Sequence, residues 1–156
     1  MCIRDRLNIY LKSEIDTIQA GAKLAHMLAQ PKKNSEIHLI GDLGAGKTTL
    51  ARGFLESLGW TGAVKSPTYT LCEEYLLEQT FVLHCDLYRL NALEDLEILD
   101  LDRATQLTKI LLIEWPDRLP LQRKPDVEIH LSHHEKGREL ELIVMNENLK
   151  ISAAEL

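Results

Sequence analysis

Apolar residues recur along this chain in two periods, and the switches between them outline its elements. Leu7 to Leu11 reads as a short edge strand. Ser13 then offers a helix N-cap, with Asp16 at the position where a capping box prefers Glu or Gln. Ile15, Ile18, Ala22, Ala25 and Leu28 follow at helical spacing, so residues 14–29 are expected to form an amphipathic helix, with Pro31 just past its end. Ile37 to Ile40 is a compact apolar run halted by Gly41 and predicts a buried strand. Thr48 to Leu58 predicts a second helix with Leu50, Phe54, Leu55 and Leu58 on one side and Gly59 as its stop.

Later segments favour strands. Thr68 to Leu77 and Thr80 to Asp86 are both strand-like, Leu93 to Leu101 is acidic and helical, and Lys109 to Glu114 is a strongly apolar strand ended by Trp115-Pro116. Val127 to Leu131 and Glu139 to Met145 alternate as strands around a turn at Lys136-Gly137. Strands interleaved with helices predict an α/β domain with a mostly parallel central sheet.

Length and composition narrow this further. A chain of 156 residues fits one domain, placed here over residues 7–146 with a tail at 147–156. Residues 1–6 match neither period and are set aside as a candidate non-native start. Apolar residues at 45% and charged residues at 27% exclude disordered and fibrous classes. Net charge is -6, and residues 61–156 carry 18 acidic against 10 basic side chains, which argues against autonomous nucleic-acid binding. No apolar run approaches the ~20 residues of a membrane span, and no signal-peptide core is present, so a cytoplasmic protein with no membrane partner is expected. Cys2, Cys72 and Cys85 form no close pair in sequence and lack zinc-ligand spacing; they read as reduced small hydrophobes.

The chemistry concentrates in Gly41-Asp42-Leu43-Gly44-Ala45-Gly46-Lys47-Thr48, a full Walker A match between a strand and a helix. Such a loop wraps phosphate oxygens with backbone N–H groups, and the following helix aims its positive end at the same anion. Asp42, Leu43, Gly44, Ala45, Gly46, Lys47, Thr48 and Thr49 are the candidate nucleotide-binding run, Lys47 for the phosphates and Thr48 for magnesium. A P-loop NTPase-like three-layer sandwich is the expected architecture, with ATP and magnesium as cofactors. Two further strands end in acids, Asp86 and Glu114. The carboxyl ends of parallel strands line the ligand crevice, so both acids are candidates for the metal and its water. Lys47, Asp86 and Glu114 form the candidate catalytic set. Ser66-Pro67-Thr68-Tyr69-Thr70 lies where γ-phosphate switches sit in related folds. Trp115 reads either as a lid over the site or as an interfacial aromatic, and Arg89 either as a phosphate neutraliser or as a partner for an acid in 94–102. His133-His134 reads as a solvated turn, and the acidic run Glu94 to Asp102 as a solvated face or a docking surface.

Four segments together, 41–49, Lys-Ser-Pro-Thr-Tyr-Thr-Leu at 65–71, His-Cys-Asp-Leu-Tyr-Arg-Leu at 84–90 and Ile-Glu-Trp-Pro at 113–116, resemble the TsaE family of bacterial tRNA threonylcarbamoyladenosine synthesis. The resemblance implies a magnesium-dependent ATPase acting with TsaD and TsaB, and meeting tRNA only through that complex, to modify the adenosine adjacent to the anticodon. It implies that Lys47 contacts phosphate, that Thr48 and Glu114 ligate magnesium, and that Asp86 sits at the metal and water site. It also implies that Thr68 belongs to a switch-like loop and that Trp115 lies near nucleotide or partner. Ser13 to Thr17 and Gly137-Arg138 would serve the adenine side, with Ser13, Thr17 and Arg138 as the candidate residues. His-Cys-Asp stands where His-Phe-Asp is commoner in the family, and 95–102 follows the family's acidic helix only loosely. The competing readings are a small-molecule kinase on the same loop and a nucleotide sensor that does not hydrolyse.

Overall fold

The computed structural model describes residues 5–151 and 155–156. Met1 to Arg4, and Cys2 with them, lie outside the described residues. Arg6 does not: it opens the first strand, β1 (Arg6–Leu11), where it pairs with Ile143. The chain continues through α1 (Glu14–Leu28), β2 (Ser35–Ile40), α2 (Lys47–Ser57), β3 (Cys72–Leu76), β4 (Thr80–Asp86), α3 (Leu93–Leu99), β5 (Thr108–Glu114), β6 (Val127–His134) and β7 (Gly137–Val144).

Seven strands form one sheet in the order β1-β7-β6-β2-β5-β4-β3. Its centre, β6-β2-β5-β4, is parallel, while the edge pairs β1-β7, β6-β7 and β3-β4 are antiparallel. The parallel centre follows from composition. Every residue of β5 is buried, as a strand covered on both faces requires. Helices α1 and α2 cover one face over Ile37, Leu39, Val82, Ile110 and Leu112. The opposite face carries Phe81, Leu83, Cys85, Leu111 and Ile113, against which Leu96 and Leu99 of α3 pack. Fully burying a side chain such as Leu55 or Ile110 contributes about 1.5–3 kcal/mol. The tail joins the first core: Ile151 is buried in it, and Leu149 and Leu156 pack against it.

The α1 face differs from the one its large apolar residues suggested. Ile15 is exposed, and the buried stripe is Thr17, Ala20, Gly21, Leu24, Ala25 and Leu28. Small residues occupy that stripe because α2 crosses there at backbone contact. A Cβ on Gly53 would lie 2.1 Å from the Ile18 carbonyl oxygen, and one on Gly21 would lie 2.2 Å from that of Leu50. Counting only large apolar residues misses such a seam. Gly53→Ala is therefore expected to cost about 1–3 kcal/mol by forcing the helices apart. Urea unfolding would read this as a lower midpoint, and an unchanged midpoint would contradict the close crossing.

Two further expectations are corrected. Residues 68–71 form a turn with Leu71 at φ +64°, and the strand begins only at Cys72. The hydroxyl-rich stretch bonds a carboxylate instead of a neighbouring strand, as described below. The cysteines at 72 and 85 are also not free: they form a disulfide. Thirteen residues of separation looked remote in sequence, but antiparallel β3-β4 pairing sets Cys72 directly opposite Cys85. Closing a loop of this length stabilises by about 3 kcal/mol. Reduction with a dithiol is expected to lower the thermal midpoint, and a midpoint indifferent to reductant would argue against the bridge.

Candidate active site

The site is built where β2, β4 and β5 end side by side. Leu39 pairs with Glu114 and Glu114 with Asp86, so the carboxyl ends of the central strands present both acids next to the loop that follows β2. That loop turns with Gly44 at φ +79° and Gly46 at φ +107°, a backbone region that residues with a Cβ rarely enter. Helix α2 begins immediately afterwards, its first bond running from Leu50 N–H to the Gly46 carbonyl. The leading N–H groups of a helix have no intrahelical acceptor and, with the helix dipole, favour an anion. Arg138, on β7, holds the loop from the far side by donating through Nε to the Ala45 carbonyl (3.1 Å) and through Nη2 to that of Gly44 (3.3 Å).

Lys47 is 5% exposed although charged. Its ammonium donates to the Gly41 carbonyl and to that of Asp42 (3.1 Å), and it lies 4.6 Å from the Trp115 ring centroid. Burial pushes its pKa below that of a free lysine, while Glu114, Asp86 and Asp42 pull it back up. Trp115 is held at φ +57°, ψ +55°, an uncommon position for a large residue, with Tyr88 tilted against it at 4.9 Å.

Asp86 is fixed from three directions. Its Oδ2 accepts from Ser66 Oγ (2.9 Å) and Thr68 Oγ1 (3.4 Å), and its Oδ1 from the Tyr88 N–H (3.0 Å). The loop at 66–68 is thereby tied to a strand-end acid. Glu114 is 2% exposed, and its Oε1 accepts from Nε2 of the fully buried His84 at 2.7 Å.

A cavity of about 350 Å³ gathers Leu43 to Thr49, Ser66, Thr68, Asp86, Tyr88, Glu114 and Trp115. Beside it a second cavity, of about 320 Å³, is lined by Ser13, Glu14, Thr17, Gly44, Gly46, Thr49, Gly137 and Arg138. Gly44, Gly46 and Thr49 belong to both, so the two halves meet along the loop. Thr48, Asp86 and Glu114 offer hard oxygen donors at one wall, the donor type a magnesium ion takes. Among the described residues no three His, Cys, Asp or Glu side chains are placed to hold a metal by themselves. A cation at this wall would draw further oxygens from a phosphate or water.

Most of the residues singled out from sequence thus face these cavities, with Asp42 contributing through its carbonyl. The Arg89 guanidinium stacks on the Tyr69 ring at 4.6 Å, an aromatic partner that neither expectation named. In the acidic run, Asp102 pairs with Arg123 at 2.8 Å, while Glu94, Glu97 and Asp100 are exposed. His133 and His134 are exposed, with Tyr10 edge-on to His134 at 5.7 Å. His84 is a site residue that the sequence alone does not single out. Its position two residues before Asp86, on the same face of β4, was the available signal.

The family model described as threonylcarbamoyl adenosine biosynthesis protein TsaE matches residues 11–140. The tRNA threonylcarbamoyladenosine biosynthesis protein TsaE of Haemophilus influenzae is 39% identical over 145 residues, covering 89% of this chain and 90% of that one. That of Bacillus subtilis is 39% identical over 109 residues, or 67% of this chain and 66% of its own. The crystal structure of Bacillus subtilis YdiB superposes with a TM-score of 0.68 at 28% identity, covering 96% of this chain and 92% of that one. With the family match running from the end of β1 into β7, and so across every strand that frames the two cavities, the chain belongs to the TsaE family of tRNA threonylcarbamoyladenosine biosynthesis proteins.

Proposed function

We propose that this protein is a magnesium-dependent ATPase that serves tRNA threonylcarbamoyladenosine formation together with TsaD and TsaB. One observation carries the reading: the glycine-rich loop, Thr48 and the two strand-end acids line a single cavity. The triphosphate lies along 41–48, with Lys47 leaving the Gly41 and Asp42 carbonyls to meet its β- and γ-oxygens. The nucleoside extends into the adjoining cavity, between Ser13 at the cap of α1, Thr17 on α1 and Arg138 on β7. Thr48 and Glu114 hold the cation, which when bound neutralises charge developing on the transferred phosphoryl group. Asp86 orients water beside it. Ser66 and Thr68 bond Asp86, which is how the 66–68 loop reports the state of the γ-phosphate to a partner.

The acidic charge balance fits a subunit that leaves tRNA contact to the assembly in the cytoplasm. Nothing among the residues at the cavity supplies an arginine finger, so turnover by the isolated chain is slow and completed by a partner. Reconstituted tRNA modification with and without this protein tests the reading. Repeated rounds of modified tRNA should require both the protein and hydrolysable ATP. Full turnover without either would refute it.

A further inference from the structure

One buried polar group beside the site is left unused by that reading. His84 is wholly enclosed, and its Nδ1 has no hydrogen-bond partner among the described residues. An enclosed polar atom without a partner costs free energy that a leucine or phenylalanine at this place would avoid. A β4 residue facing the α2 layer, flanked by Val82 and paired with Leu112 of β5, sits where an apolar side chain would pack naturally. The one polar contact that offsets this cost is the 2.7 Å bond from Nε2 to Glu114 Oε1. A carboxylate only accepts, so the proton of that bond resides on Nε2.

We propose that His84 is a positioning residue for Glu114, an inference that rests on the magnesium-site reading above. By donating to Oε1 it engages one carboxylate oxygen and fixes the rotation of the group. The other oxygen is then the one that serves the cation. Carboxylates that ligate metals are held in this way by outer partners, whose loss typically lowers metal affinity by about 10–100-fold. The neighbouring acid is held differently, with Asp86 taking two hydroxyls and a backbone N–H. The two acids thus have independent supports, and removal of His84 should spare the Asp86 contacts.

The test compares His84→Phe, which keeps a ring but no donor, with His84→Gln, whose amide nitrogen reaches the Nε2 position. His84→Leu serves as a second donor-lacking variant should the phenylalanine protein not fold. Mn2+ affinity in the presence of ADP, read by electron paramagnetic resonance, is measured beside metal-free nucleotide affinity and the thermal midpoint. The donor-lacking variants should bind Mn2+ about 10–100-fold more weakly with metal-free nucleotide affinity unchanged, and His84→Gln should stay within about 2-fold of the parent protein. Parental Mn2+ affinity in a folded donor-lacking variant, or equal loss in His84→Gln, overturns the role of His84. Glu114→Gln run alongside separates the two levels. If it loses Mn2+ while His84→Phe does not, the magnesium reading stands and this inference falls. If Glu114→Gln itself binds Mn2+ like the parent, the ligand assignment falls and takes the inference with it.

Discussion

Glu114→Gln should retain nucleotide while lowering ATP turnover by about 10²–10³-fold, the usual cost of removing one preorganised electrostatic group from a reacting centre. The substitution keeps shape and can still accept from His84 Nε2, so the fold has little reason to change. What disappears is a buried negative charge at the wall shared with Thr48 and Asp86. Asp86→Asn should behave alike, because the amide oxygen can still accept from the Tyr88 N–H and the amide nitrogen can donate to the Ser66 and Thr68 hydroxyls, while the charge facing the cavity is lost. Single-turnover hydrolysis in the presence of TsaD and TsaB, beside equilibrium binding of a fluorescent ATP analogue, separates chemistry from affinity. Parental rates in either variant would remove that acid from the catalytic assignment. Full tRNA modification by a Glu114→Gln protein that has lost hydrolysis would favour the reading as a nucleotide sensor.

Lys47→Ala should act on the other quantity. A buried ammonium meeting phosphate makes charge-assisted bonds worth about 1.5–3 kcal/mol, or roughly 10–150-fold in nucleotide affinity. The side chain is enclosed by the Gly41 and Asp42 carbonyls and by Trp115, so the loss is not screened as it would be at an open surface. Alanine also leaves those two carbonyls without this donor, which loosens the loop before any nucleotide arrives. Titration of the variant with the same fluorescent analogue should show the weakening. Affinity equal to the parent would mean that the phosphates do not lie against this lysine.

Legibility in the sequence followed the range of the forces involved. Elements set by local pattern were readable: β5 from Ile110-Leu111-Leu112-Ile113, α2 from its apolar stripe, and the start of α1 from Ser13, whose Oγ accepts from the Asp16 N–H at 3.3 Å. The strand-end acids were readable because parallel strands place their carboxyl ends together. Features created by tertiary pairing were not. The Cys72–Cys85 bridge depends on hairpin register, and the burial of Gly21 and Gly53 depends on how closely two helices cross. The turn at 68–71 replaced the start of a strand because Ser66 and Thr68 bond Asp86, an acid eighteen or more residues away. Arg89 found an aromatic face instead of an acid, a choice that charge pattern alone cannot foretell. His84 escaped notice for a related reason: inside an apolar strand it resembles a satisfied core histidine until its one hydrogen bond is seen to end on Glu114.

The most direct measurement is a crystal structure of this protein with magnesium and a non-hydrolysable ATP analogue. The expected result is a triphosphate wrapped by residues 41–48, a cation between the Thr48 hydroxyl and Glu114, and the adenosine lying between α1 and Arg138. A nucleotide bound in another cleft, with the 41–48 loop free of phosphate, would contradict it.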